Sequence, residues 1–265
     1  MLTIYIKGEP TGIVRIYYKS GKLEGERTYS DGKLNGLSKG YYENGKLKGE
    51  ELFIDDKKNG LLKEYYENGK LEYEFPYIEG KLDGGVLKEY YESGLLKKET
   101  PITSGKANGM VKKYFENGKV MSEGNYTKGI QNGLQKEYYE NGKLKLEDTC
   151  INGKEDGTSK YYYESGSIKI LTLHTDDKPD GVKKCYYENG KLQSEDISTG
   201  DKRNWKVKEY YKNGNIKEEA NFKDTKLNGE DKEYFEDGKL KSDKTYISDS
   251  LKTIKNYSEI RNGIK

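Results

Sequence analysis

Chemistry in this chain would have to come from carboxylates, lysines, tyrosines and very little else. Its 265 residues include 46 Asp and Glu, 48 Lys and Arg and 26 Tyr, but one His and two Cys. That inventory excludes most zinc sites and His-based triads. Glutamates recur as a column at Glu26, Glu50, Glu74, Glu99, Glu123, Glu147, Glu195 and Glu219. Paired carboxylates do acid–base work when their environments push their pKa values apart. A column repeated in every copy gives each carboxylate the same surroundings, so it reads as a structural ladder. No catalytic residue is assigned. Asp176-Asp177-Lys178-Pro179-Asp180 lacks the ligand spacing and closing Glu of a calcium loop. The glycine-rich turns lack the Lys-Ser/Thr of a phosphate loop. No metal and no cofactor is expected. Lysine columns with interleaved Tyr could track nucleic acid by stacking, but the glutamate columns cancel the potential, and the net charge is +2.

The elements that carry these residues follow from a repeat. Tyr-Tyr-Glu-Asn-Gly-Lys-Leu recurs, unchanged or with small changes, in ten copies, with its glycine at Gly21, Gly45, Gly69, Gly94, Gly118, Gly142, Gly166, Gly190, Gly214 and Gly238. The spacing is 24 residues, with one step of 25 where the Gly84-Gly85 pair stands. Asn-Gly between runs rich in Tyr and Leu is a hairpin signal, and a two-residue type I′ turn is expected there. A second, longer turn follows in each copy, as at 30–36. One glycine per roughly eight residues and no 3.6-residue period argue against helix. The fold expected is all-β: an elongated, single-sheet antiparallel meander of about ten 24-residue hairpin repeats. It spans 1–265 as one continuous array. Residues 1–12 form a partial N-terminal repeat, 13–246 the ten hairpins, and 247–265 a degenerate C-terminal cap with Tyr257 and Gly263 as remnants.

A two-residue turn at Asn68-Gly69 sets a register: Tyr66 opposite Leu71, and Lys63 opposite Glu74. Across all ten copies the first ladder position is basic, from Arg15 to Lys232, and the second is acidic except at Leu171. Opposite charges facing across a strand pair stabilise a sheet. By parity the first Tyr of each pair shares the ladder face. The second Tyr and its aliphatic partner share the other, with their hydroxyls wet. A further column, Tyr29, Phe53, Tyr77, Ile102, Tyr126, Cys150, His174, Ser198, Phe222 and Tyr246, is expected to face a glycine column beginning at Gly36 across the longer turn. Ser198 and Trp205 exchange small for large in that pairing.

Tyr-Tyr-x-Asn-Gly-Lys-Leu-x-x-Glu with a following Gly-Lys-x-Asn-Gly resembles the MORN-type repeat, and more closely its bacterial antitoxin-like, or YwqK-type, variant. The resemblance covers residues 1–246. It implies an elongated β-hairpin array with binding roles, including immunity against a cognate toxin, and no catalytic residues.

The copies depart from pattern over residues 146–211. Tyr161 and Ile170 should pair where other copies place Glu, Lys, Ser or Gly; His174, Cys185 and Trp205 fall in the same stretch. These five form the candidate partner-binding patch, since hot spots favour Trp and Tyr. His174 is read as a half-exposed sheet residue. Cys150 and Cys185 should stand three strands apart and remain free thiols, in keeping with a reducing compartment. No apolar run reaches the roughly 20 residues of a membrane helix, and no secretory signal opens the chain. The function expected is non-enzymatic protein binding of the antitoxin or immunity kind, in the cytoplasm, with no nucleic acid and no membrane insertion. The alternative is a structural or adhesive surface array cut from a larger exported protein.

Overall fold

The computed structural model describes residues 4–6, 9–198 and 204–257. Gly263 and Lys265 of the expected cap, and the turn between Ser198 and Trp205, lie outside them. The chain is all-β, with no helix among the described residues. It divides into two compact units, 1–133 and 134–265. In each, antiparallel strands follow one another in meander order. Among the described residues the strands number 28 rather than about twenty, because in six copies the strand after the longer turn is split, as at Lys33–Leu34 and Gly36–Tyr41, whereas Ile130–Tyr138 and Lys226–Tyr234 are continuous.

The ladder is present as a cross-strand row. In the first unit it runs Arg15–Glu26–Lys39–Glu50–Lys63–Glu74–Lys88–Glu99–Lys112–Glu123, each residue directly opposite the next. In the second it runs from Glu147 through Lys160, Leu171, Lys184, Glu195, Lys208, Glu219, Lys232 and Asp243 to Lys255. The ladder therefore joins repeats as well as the two strands within one hairpin.

The turns are the reverse of the expectation. At the Asn-Gly end, the Tyr66 N–H donates to the Lys70 carbonyl at 2.9 Å and the Gly69 N–H to the Tyr66 carbonyl at 2.8 Å. Glu67-Asn68-Gly69 is thus a three-residue loop: a type I turn closed by a left-handed glycine, Gly69 φ +91°. Asn68 is not left-handed; its Oδ1 accepts from the Lys70 N–H at 2.8 Å. Tyr65, not Tyr66, lies opposite Leu71. The expected Lys63–Glu74 pairing survives because the longer loop is compensated by a bulge that leaves Glu72 unopposed, between the pairs Tyr65–Leu71 and Glu64–Tyr73.

The two-residue turns sit at the other end. Asp31-Gly32, Asp55-Asp56, Glu79-Gly80, Ser104-Gly105 and Asn152-Gly153 have positive φ at both residues, as type I′ demands. Where the second residue is Asp, it bonds back to the preceding repeat. Asp56 Oδ1 accepts from the Leu34 N–H at 2.8 Å, and the Asp56 N–H donates to the Leu34 carbonyl at 2.9 Å. Tyr29 consequently faces Leu34 across this turn and Gly12 on its other side, not Gly36. Gly36 faces Phe53. The expected Ser198–Trp205 pairing is present.

The two tyrosine positions of the repeat use their hydroxyls in opposite directions. The second reaches forward: Tyr42 donates to the Tyr65 carbonyl at 2.6 Å, and Tyr187 to the Tyr210 carbonyl at 2.7 Å. The first reaches back to a ladder glutamate: Tyr65 donates to Glu50 at 3.1 Å, and Tyr114 to Glu99 at 2.7 Å. A single layer buries little. Among the described residues Pro76, Ile102, Val111, Cys150 and Ala220 are the apolar side chains that are buried outright.

Candidate protein-binding face

Residues one step from the ladder point to the opposite side of the sheet. There the second unit carries a row Leu146–Tyr161–Ile170–Cys185, each opposite the next on four adjacent strands. All four side chains are half-buried. The row continues as Ser194, Glu209, Glu218, Glu233 and Ser242. Three of the five predicted residues, Tyr161, Ile170 and Cys185, are thus in one row. Leu146 was missed, although its place is the register equivalent of Ile170 one repeat earlier. Carrying the register across the longer turn would have found it.

His174 and Trp205 belong elsewhere, in the rows nearer the type I′ turns. Trp205 lies between Ser198 and Phe222 and stacks on Phe222 with ring centroids 5.3 Å apart and planes 1° from parallel. His174 lies opposite Gly157 and is buried, not half-exposed. Bare backbone across from it lets the imidazole settle against the sheet. Its Nδ1 is 3.1 Å from Ser159 Oγ and 3.3 Å from Glu155 Oε2. A nucleophilic relay needs the hydroxyl and the carboxylate on different ring nitrogens. Here both meet the same nitrogen, and Ser159 is only 1% exposed.

Carboxylates crowd this corner. Burial, then the charges of Glu155 and Glu137, push Asp148 up to about 6; the nearby His174 works in the opposite direction. Burial, then Asp148 and Glu155, push the Cys150 thiol up to about 11, so it is a poor nucleophile at neutral pH. Cys150 and Cys185 are both free. The aspartates of 176–180 are engaged locally. Asp177 accepts from the Glu155 N–H at 2.6 Å, Asp176 pairs with Lys154 at 3.0 Å, and Asp180 accepts from the Thr175 hydroxyl at 3.1 Å. Among the described residues no three His, Cys, Asp or Glu converge as metal ligands.

The ladder face of the first unit carries a different apolar feature. Ile13, Leu37, Leu61, Val86 and Met110 each stand two residues before a ladder base, and all are exposed. Leu37 faces Leu52, Leu61 faces Pro76, and Val86 faces Pro101.

A family model described as a MORN repeat variant matches nine segments: 10–31, 34–55, 58–79, 107–128, 131–150, 155–176, 179–197, 206–224 and 227–248. No curated protein matches the chain. Among solved structures, the crystal structure of TcdB2-TccC3 aligns over 89% of this chain and 18% of its own, at 11% identity and a TM-score of 0.17. The Photorhabdus luminescens Tc holotoxin pore aligns over 86% of this chain and 16% of its own, at 13% identity and a TM-score of 0.20. The chain spans less than a fifth of the length of either.

Proposed function

Because this chain belongs to the MORN repeat variant family, we propose that it is a non-enzymatic protein-binding array of the antitoxin or immunity kind. It would block a cognate toxin by covering part of that toxin's surface, in the cytoplasm, with no nucleic acid, cofactor or membrane insertion. The observation that carries the reading is the half-buried row Leu146–Tyr161–Ile170–Cys185. The same row in the first unit holds glycines, glutamates and lysines over most of its length. Four adjacent apolar residues, one an aromatic, are the composition of an interface centre. Trp205, stacked on Phe222, and the buried His174 stand outside this row.

The test is affinity capture from the native host with mass spectrometry. Tyr161→Ser with Ile170→Ser should lose the captured protein by about tenfold in affinity or more, with the β spectrum intact. Trp205→Ser should weaken it less. A captured protein that is toxic when expressed alone supports the immunity reading. Undiminished capture by the double variant would defeat the assignment of this face.

A second reading, a structural or adhesive surface array, is favoured by the exposed aliphatic residues that recur beside the ladder bases, Ile13 to Met110. Binding to envelope material with no soluble partner would select it.

A further inference from the structure

We propose that the ladder face of the first unit packs on the same face of a second copy of this chain, sheet on sheet, about a two-fold axis that runs along the strands between Lys63 and Glu74. This contact is independent of the protein-binding row in the second unit.

The ladder face of the first unit leaves aliphatic side chains in water. Leu37 lies opposite Leu52, Leu61 opposite Pro76 and Val86 opposite Pro101. The pairs Glu50–Lys63 and Glu74–Lys88 set Leu52 beside Leu61 and Pro76 beside Val86. Ile54 and Ile78 stand two residues further along their strands, on the same face. Leu37, Leu52, Ile54, Leu61, Ile78 and Val86 are all exposed. A continuous aliphatic stripe rimmed by charge marks an association surface.

The ladder indicates what covers it. Its charge alternates strand by strand, so the face presents no single sign for an oppositely charged partner to read. An identical row displaced by one strand does read it, because every base then meets an acid. The two-fold axis between Lys63 and Glu74 reverses the strand order and gives that displacement. Lys63 meets Glu74 of the second copy, Glu50 meets Lys88, and Lys39 meets Glu99, each pair occurring twice, as an isologous contact requires. The same operation lays Leu52 on Val86 and Leu61 on Pro76. The axis also lies midway along the row from Arg15 to Glu123, where overlap is greatest.

The charges left over within one copy are those the second copy engages. Arg15, Lys88 and Lys112 have a ladder carboxylate at 2.8, 3.8 and 3.7 Å. Among the described residues Lys39 and Lys63 have no carboxylate within 4.0 Å. Glu50 and Glu99 accept tyrosine hydroxyls at 3.1 and 2.7 Å but pair with no lysine. Sheets stack about 10 Å apart, a gap that a lysine and a glutamate reaching toward each other close. The aliphatic stripe supplies the driving force, and the charges fix the register.

Sedimentation equilibrium of the full chain, from micromolar to hundreds of micromolar, should show a monomer–dimer equilibrium. Leu52→Lys with Leu61→Lys should raise the dissociation constant by at least about tenfold with the β spectrum intact. Val86→Lys carries the test if that variant does not fold. A carbodiimide, which condenses an amine with a carboxylate, should link Lys39 to Glu99. These residues stand five ladder steps apart in one copy, about 24 Å, so the link forms between copies. In a mixture of isotope-labelled and unlabelled chains it should join one of each. A chain monomeric throughout, a dimer indifferent to Leu52→Lys/Leu61→Lys, or the absence of mixed-label links would overturn the pairing. So would a monomer whose stripe is covered only by a captured protein or by lipid vesicles. A monomer that still captures a host protein through Tyr161 and Ile170 would leave the protein-binding reading standing. A dimer that captures none would support the pairing and count against that reading alone.

Discussion

Tyrosine is abundant because each member of a Tyr-Tyr pair makes a different bond. The first gives its hydroxyl to the ladder glutamate behind it, the second to a carbonyl of the repeat ahead. Desolvation, then the hydrogen bond and charge of that glutamate, push Tyr65, Tyr90, Tyr114 and Tyr210 up to about 12. A raised tyrosine pKa means that the folded state holds its proton more tightly than the unfolded chain. The stabilisation is therefore full below about pH 10 and is lost as pH rises from about 10 to about 12. Alkaline titration of phenolate absorbance should show a late-ionising class of tyrosines, with the sheet melting across the same window. Replacing the four by Phe should remove that class.

Leu171 is the one apolar residue in the ladder, between Lys160 and Lys184. It also stands where Tyr186 would otherwise find the acceptor that Tyr210 finds in Glu195. Leu171→Glu should restore both interactions and raise stability by about 0.2–1 kcal/mol, read as a higher midpoint in urea. An unchanged or lower midpoint would mean that Leu171 contributes more by packing than the missing carboxylate would by charge.

At the scale of the element, each hairpin is defined by two unlike turns. The Asn-Gly turn needs one left-handed residue, at the glycine. The other turn needs two, which Asp-Asp, Asp-Thr and Ser-Asp supply at a conformational cost. Thr225 has φ +67°, an unfavourable region for a β-branched side chain. Thr225→Gly should therefore stabilise the second unit by about 1 kcal/mol, and Gly69→Ala should destabilise the first by about 1–2 kcal/mol; thermal melts of the two variants check the pair. The sequence made the existence of both turns legible but not their types. Asn-Gly suits a type I′ turn and equally a type I turn closed by a left-handed glycine. The choice is settled by a residue that the repeat motif does not mark: Glu72, left unopposed in the bulge, restores the register that the longer loop would have shifted.

At the scale of the whole molecule, strands bond to their neighbours in sequence, so stability is close to a sum of local terms. Ala220 is 4% exposed and lies opposite both Val207 and Asp231. Ala220→Asp would bury a second carboxylate beside Asp231, at a cost of a few kcal/mol. Hydrogen exchange should accelerate over residues 204–234 and stay unchanged over 36–65. A uniform acceleration throughout the chain would contradict nearest-neighbour stability.

The repeat, the all-β class and the acid–base ladder were legible in the sequence alone, because they depend on period and parity, and both are properties of residue order. So was the pairing of Tyr161 with Ile170, which follows from the same register. Only the tertiary structure decided which turn was which, that Tyr65 rather than Tyr66 faces Leu71, and that His174 is buried between Ser159 and Glu155 while Trp205 stacks on Phe222. Those outcomes turn on left-handed residues, a compensating bulge and the space above opposed glycines. These depend on how three or more strands meet, and residue order within a single hairpin does not specify that.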